Sequence, residues 1–139
     1  MNLDINMLSG LNKKSQTLNS FCLLFEDINE ETAKQSVQFI IESNFADKEE
    51  RPDIINMIIN SSGGSLSDAF AIIDVMRSSH IPIRTIGLGT VASAALMIFM
   101  AGTKGHRILT PNTSIMSHRY SAGSHGKAKS YLQHRKNLI

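Results

Sequence analysis

Short apolar runs alternate with longer amphipathic segments along this chain. Residues 21–25, 54–59 and 83–88 are continuous apolar runs of the length expected for buried strands. Two shorter strands are predicted at residues 106–109 and 113–117. Strands that alternate with helices are typical of an α/β chain with a largely parallel sheet.

Four helices are predicted between and after these strands. The first begins after Asn29, a favourable N-cap, and the second has Ser65 or Ser67 as its cap. A third, very apolar helix is expected over residues 91–101, with methionines as core filler, and a fourth from Lys127 onward.

Length and composition favour one domain of ordinary size. The chain has 139 residues, of which 1–20 are predicted to be an arm and 21–139 the folded domain. No apolar run approaches the roughly 18 residues of a membrane span, and the polar beginning does not resemble a secretory leader. The single cysteine, Cys22, excludes an intrachain disulfide and indicates a reducing compartment. We therefore expect a cytoplasmic protein.

Charge is unevenly distributed although the net charge is only +2. Every acidic residue lies at or before Asp74, and the second half is purely basic. Its Lys/Arg cluster near the C-terminus has only Tyr131 as an aromatic neighbour, so nucleic-acid binding is not expected. The histidines outside position 118 match no compact ligand set, and no metal or cofactor is expected.

Candidate chemistry centres on Ser93 and His118. Ser93 follows a glycine-bearing turn and precedes an apolar helix, and His118 ends a later strand. A serine needs a base to accept its proton, and N–H groups of a first helical turn can stabilise an oxyanion. Gly63-Gly64 follows another strand, and its lack of side chains would let a second stretch of backbone N–H groups come close to a substrate. Alone, Ser93 would suit a helix cap and His118 a core position, but together they indicate acyl transfer.

Linked motifs resemble the proteolytic subunits of Clp proteases, serine peptidases of the Clp/crotonase fold. Residues 60–64 read Asn-Ser-Ser-Gly-Gly, residues 89–95 Gly-Thr-Val-Ala-Ser-Ala-Ala, and residues 101–107 Ala-Gly-Thr-Lys-Gly-His-Arg. Thr-Pro-Asn-Thr at 110–113 and Met-Ser-His at 116–118 follow in the same order. The resemblance covers residues 20–139 and implies an α/β fold of stacked ββα units.

The resemblance also implies roles for individual residues. Ser93 corresponds to the nucleophile and His118 to the base, and the backbone N–H groups of Gly64 and Ala94 correspond to the oxyanion hole. The implied substrate-binding residues are Gly63, Ser121, Ala122 and Gly123.

Partners are likewise implied by the resemblance. Members of this family form seven-membered rings that stack face to face and enclose the sites. An ATP-driven AAA+ unfoldase feeds unfolded polypeptides into the chamber. A peptide that binds as an added strand is recognised through main-chain hydrogen bonds. No nucleic-acid or membrane partner is implied.

The chain departs from the family pattern in three places. Ser62 replaces a proline, and Arg119-Tyr120 replaces a Gln-Pro pair. The family's triad aspartate lies well downstream of the histidine, whereas no acid follows Asp74 here. Asp68 or Asp74 could replace it only through a new geometry.

Three functions therefore remain open. The first is a serine endopeptidase subunit that is C-terminally incomplete and impaired for lack of a downstream aspartate. The second is a catalytically silent structural or regulatory ring subunit, or a truncated remnant. The third is an acyl-CoA enzyme of the same superfamily, whose members do not need a Ser–His pair at this spacing.

Overall fold

Strands and helices alternate through the first hundred residues, as the hydrophobic pattern predicts. The computed structural model describes residues 19–118 and 130–132. The described strands are β1 Phe21–Leu24, β2 Ile55–Ser61, β3 Ile83–Ala92, β4 Arg107–Leu109, β5 Ser114–His118 and β6 Ser130–Leu132. The described helices are α1 Glu30–Phe45, α2 Leu66–Ser78 and α3 Ala94–Met100. The predicted α/β class is confirmed; the predicted arm at 1–20 lies almost entirely outside the described residues.

β3 is the central strand of a mostly parallel sheet. The strand order is β1-β2-β3-β5-β6, and β4 also pairs with β3. On the side away from β2, β3 pairs first with β4 through Thr85–Gly87 and then with β5 through Thr90–Ala92. β6 alone runs antiparallel to its neighbour, β5. The carboxyl ends of β2, β3 and β5 therefore meet at one edge of the sheet.

The hydrophobic core lies between one face of the sheet and the three helices. Inward-facing side chains of β1, β2 and β3 are buried against the apolar faces of α1, α2 and α3. Phe99 of α3 and Ile72 of α2 are fully buried there, as is Met57 of β2. Cys22 is also buried, as expected, and burial raises the pKa of its thiol, while a hydrogen bond from Ser36 lowers it by less.

The opposite face of the sheet carries a row of aligned apolar side chains, here called the open face. The register pairs Leu23 with Ile58, Ile58 with Ile86, and Ile86 with Ile108. Leu23 is 66% exposed and Ile108 is 45% exposed, and the two central residues are half-buried. No described helix packs over this row.

Local sequence explains where the first two helices begin. The Asn29 side chain accepts a hydrogen bond from the Thr32 N–H, and the Thr32 hydroxyl accepts one from the Asn29 N–H. This reciprocal pair is a capping box. Ser65 caps α2 by accepting the Asp68 N–H, which decides between the two predicted caps.

The third predicted helix begins later than expected. Val91 and Ala92 belong to β3, because Val91 pairs with Ser61 on one side and Ile115 on the other. Pairing with a strand on each side stabilises these residues as strand, although the apolar run itself is typical of a helix. The core-filler prediction is wrong for Met97, Met100 and Met116, which are 39%, 37% and 38% exposed.

The fourth predicted helix is wrong where it can be checked. Ser130–Leu132 form β6, in which Leu132 pairs with Met116 and Ser130 with His118. The sequence from Lys127 onward is basic and lacks a broad apolar stripe, so a helix there has little to pack with. For Ser130–Leu132, pairing with β5 is the favoured alternative. The remainder of that prediction lies outside the described residues.

Candidate active site

Ser93 occupies a strained turn between β3 and α3. Its φ of 54° and ψ of −125° make it the one non-glycine residue in the described chain with positive φ. Its N–H donates to the Met116 carbonyl at 2.9 Å, and its carbonyl accepts the Leu96 N–H at 3.0 Å. Its side chain makes no capping hydrogen bond, although Ser93 stands at the N-cap. Ser93 is thus held by its backbone, which disfavours the simple interpretation as a helix cap.

Gly63 packs directly against this turn. A Cβ placed on Gly63 would lie 2.8 Å from Ser93 Cβ, 2.9 Å from the Ala92 carbonyl oxygen and 3.1 Å from the Ala94 nitrogen. Gly63 also has φ of +106°, which side chains rarely tolerate. The glycine loop after β2 and the serine turn after β3 are therefore in van der Waals contact, as the motif order predicts.

Ile28 fixes the Gly63–Gly64 peptide. The Ile28 N–H donates to the Gly63 carbonyl, and the Ser65 N–H donates to the Ile28 carbonyl, both at 2.8 Å. A Cβ on Gly64 would overlap the Ile28 carbonyl oxygen. The sequence did not predict this role, because an apolar residue that acts through its backbone leaves only a weak signal. Its one signal is position, just before the Asn29 cap.

Two backbone N–H groups are suited to hold an oxyanion. In a trans peptide the N–H points opposite to the C=O, so the Gly64 N–H is directed away from Ile28. The Ser93 carbonyl accepts the N–H groups of Leu96 and Met97, while Ala94 and Ala95 come too early in α3 to have an intrahelical acceptor. Ala94 is fully buried and touches the Gly63 position.

His118 lies at the carboxyl end of β5, beside the serine turn. Ala92 pairs with Met116, and His118 is two residues further along the parallel neighbouring strand. Successive side chains alternate across a strand, so His118 shares the face of Met116, about 7 Å along. Both side chains are exposed. Sheet topology thus brings Ser93 and His118 to adjacent strand ends.

Three of the predicted substrate-binding residues, Ser121, Ala122 and Gly123, lie outside the described residues, as do Arg119 and Tyr120. Ser62, at the family's proline position, is exposed in the loop before the glycines.

The two upstream acids lie on α2. Asp68 is in its first turn, where a carboxylate complements the helix dipole. Asp74 lines a groove of about 730 Å³ between α2 and α3, together with Arg77, Met97 and Met100. His118 is not among the residues that line this groove with Asp74. Over residues 19–118 and 130–132, no cluster of three or more His, Cys, Asp or Glu side chains could hold a metal ion.

Fold and site together correspond to a known peptidase family. A family model described as Clp protease matches residues 11–139, so the chain belongs to the Clp protease family. It is 32% identical over 116 residues to the ATP-dependent Clp protease proteolytic subunit of Oltmannsiellopsis viridis, a match that covers 84% of this chain and 58% of that protein.

Solved structures give the same result for the fold. A ClpP1 mutant from Listeria monocytogenes superposes with a TM-score of 0.68 at 28% identity, over 79% of this chain and 61% of that one. The ClpP protease catalytic domain of Plasmodium falciparum gives 0.66 at 30% identity, over 86% and 62%. The chain spans about three fifths of the length of these relatives. In the part of the chain described here, no helix is long and apolar enough to cross a membrane.

Proposed function

We propose that this chain is a Clp-type serine endopeptidase subunit, with Ser93 as nucleophile and His118 as general base. The observation that carries the proposal is the backbone of Ser93, which has positive φ, no capping bond and direct contact with Gly63. Strain of this kind costs about 1–3 kcal/mol and persists where surrounding structure enforces it. Family membership supports the assignment of the strain to catalysis.

In the proposed reaction, the Ser93 hydroxyl attacks the carbonyl carbon of a peptide bond. His118 accepts the hydroxyl proton and delivers it to the leaving amine, and the serine is left as an ester of the acyl group. The Gly64 and Ala94 N–H groups donate to the tetrahedral oxyanion. A water then attacks the ester, with His118 again as the base, and releases the acid and Ser93.

The proposed substrate is an unfolded polypeptide that binds to the domain of residues 21–139 as an added strand. Its proposed neighbours are Gly63, Ser121, Ala122 and Gly123. Main-chain hydrogen bonds suit a substrate of varied sequence. No cofactor is needed for this chemistry. A buried single cysteine fits a reducing cytoplasm as the location.

The open face supports the proposed partners. A row of aligned apolar side chains, exposed at both ends and half-buried in the middle, is typical of a surface that is covered by another protein. We propose that this subunit assembles into stacked seven-membered rings and receives substrate from an AAA+ unfoldase, which supplies the ATP dependence.

The second candidate is a catalytically silent ring subunit, which the charge distribution favours. No Asp or Glu follows Asp74, so this chain offers no downstream carboxylate to orient His118. Loss of the orienting carboxylate costs about 10⁴ in kcat in a well-studied triad. We therefore propose that a polypeptide of these 139 residues cleaves peptides slowly or not at all.

Covalent labelling separates the two candidates. A fluorophosphonate should modify Ser93 in the 139-residue chain, as located by mass spectrometry of the peptide that contains it. Ser93→Ala should abolish that modification, whereas Ser65→Ala, which removes a capping serine, should not. Labelling that is equally strong in the Ser93→Ala variant would reject Ser93 as the reactive serine.

A further inference from the structure

β3 contains a bulge just before the serine turn. Ile59 of β2 pairs with Gly87, but Ser61, two residues on, pairs with Val91. Four steps along β3 therefore match two along β2, and the extra length is taken up around Gly89, which has φ of +61°. A strand with such a bulge loses ladder hydrogen bonds, so its shape depends on other contacts.

The side chain of Asn60 occupies the bulge. Its Oδ1 accepts the Thr90 N–H at 3.1 Å, which replaces a missing ladder bond. A Cβ on Gly89 would lie 2.9 Å from Asn60 Oδ1, 3.1 Å from Cγ and 3.2 Å from Nδ2. The amide group thus lies against the Gly89 backbone, and the absence of a side chain there allows the contact.

The next residue holds the glycine loop in a similar way. The Ser61 hydroxyl accepts the Gly63 N–H at 3.2 Å, and Ser61 is buried. Asn60 and Ser61 therefore fix two separate segments, the bulge that leads to Ser93 and the loop that carries Gly63. These segments contact each other at Gly63 and Ser93.

We propose that Asn60 is a positioning residue that sets the backbone at Ser93 through the β3 bulge. This rests on the proposed function for its catalytic consequence, but the geometric claim is independent of activity. Only Val91 and Ala92 separate Thr90 from Ser93, and both are buried in paired strand, so a shift at Thr90 is transmitted rather than absorbed. Misplacement of about 1 Å costs about 100-fold in rate.

The test compares Asn60→Ala with Asn60→Asp, which keeps an acceptor oxygen. Asn44→Ala is the matched control, since Asn44 also bridges segments by accepting the His80 N–H and donating to Ser79, but between α1 and the end of α2. Hydrogen exchange at the Thr90 amide, amide chemical shifts of Ser93 and Ala94, and the fluorophosphonate labelling rate are measured, with thermal unfolding as the check on folding.

In Asn60→Ala, we expect Thr90 exchange to be roughly tenfold faster, shifts at Ser93 and Ala94, and labelling slower by about 100-fold. Asn60→Asp should restore Thr90 protection and most of the amide shifts. Asn44→Ala should change the melting temperature without moving these three readouts.

Unchanged Ser93 and Ala94 shifts in a folded Asn60→Ala variant would overturn the proposal, as would a labelling rate equal to the wild type. If the wild-type chain is not labelled at all, the proposed function fails. The amide shifts then decide the positioning role alone, for or against.

Discussion

The serine turn and the open face are two surfaces of one sheet, and they are built in opposite ways. At the serine turn, Ser93 has a positive φ that non-glycine residues rarely adopt, and Gly63 and Gly89 have positive φ nearby. Small residues there allow chain segments to touch. On the open face the strands are regular, and it is large apolar side chains that are exposed.

The difference teaches what each surface requires. Strain and close backbone contact place a few atoms accurately, which is what a chemical step needs. Hydrophobic contact on a flat apolar row is not directional, so it does not position individual atoms. Burial of that row by another protein is nevertheless favourable in free energy. Substitutions should therefore affect the two surfaces independently, and this separation can be tested.

The largest expected effect is at Gly63. Gly63→Ala places a methyl group 2.8 Å from Ser93 Cβ at positive φ, so Ser93 labelling should fall by about 100-fold or more. Unfolding free energy should fall by about 3 kcal/mol, from overpacking and strain together. Labelling kinetics and denaturant unfolding measure both.

Gly105→Ala is the control for that prediction. Gly105 also has positive φ, at +84°, but nothing lies within 4 Å of a Cβ there. It should lose only about 1–2 kcal/mol of stability and keep its labelling rate. Equal labelling rates in Gly63→Ala and Gly105→Ala would show that contact between the glycine loop and Ser93 does not affect the reactivity of Ser93.

The open face should control assembly but not labelling. The double variant Leu23→Ser/Ile108→Ser removes the two exposed ends of the row, so sedimentation should show self-association weakened by roughly tenfold or more. Phe45→Ser removes a residue that is 84% exposed at the end of α1, and should leave association unchanged. Equal effects of both changes would reject the open face as the interface.

A smaller effect of opposite sign is expected from Ser93→Gly. Glycine accepts the observed backbone angles, so the release of strain should raise the free energy of unfolding by about 1 kcal/mol, net of glycine's extra chain entropy. Ser65→Gly, at an ordinary cap with φ of −65°, should lower it by a few tenths. Thermal unfolding of both variants gives the signs, and a loss of stability in Ser93→Gly would argue against strain.

The smallest effect concerns Cys22. Because burial raises the pKa of its thiol, the reactive thiolate is scarce at neutral pH and is shielded from reagents. Alkylation by iodoacetamide at pH 7 should be at least about 100-fold slower than in urea-unfolded chain. Comparable rates in the two states would place Cys22 outside the core.

The sequence predicted the elements that follow simple periodic rules. The strands of residues 54–59 and 83–88, the caps at Asn29 and Ser65, and the order of Gly63-Gly64, Ser93 and His118 along the sheet edge all depend on local patterns. The contact of Gly63 with Ser93 agrees with the motif order.

Nonlocal contacts account for what the sequence did not predict. Val91 and Ala92 look helical in isolation, and only pairing with β2 and β5 makes them strand. Ile28 acts through its backbone, and Asn60 through a bulge created by a register shift between strands. Only the position of Ile28 before the Asn29 cap hints at the first contact, and the register shift behind the second depends on strands that are distant in sequence.

The most direct test of the central claim is the labelling rate of Ser93 in His118→Ala, compared with wild type and with His106→Ala. If His118 is the base that activates Ser93, its loss should slow labelling by about 100-fold, whereas loss of His106, just before β4, should have little effect. Equal labelling rates in the wild type and His118→Ala would contradict the account.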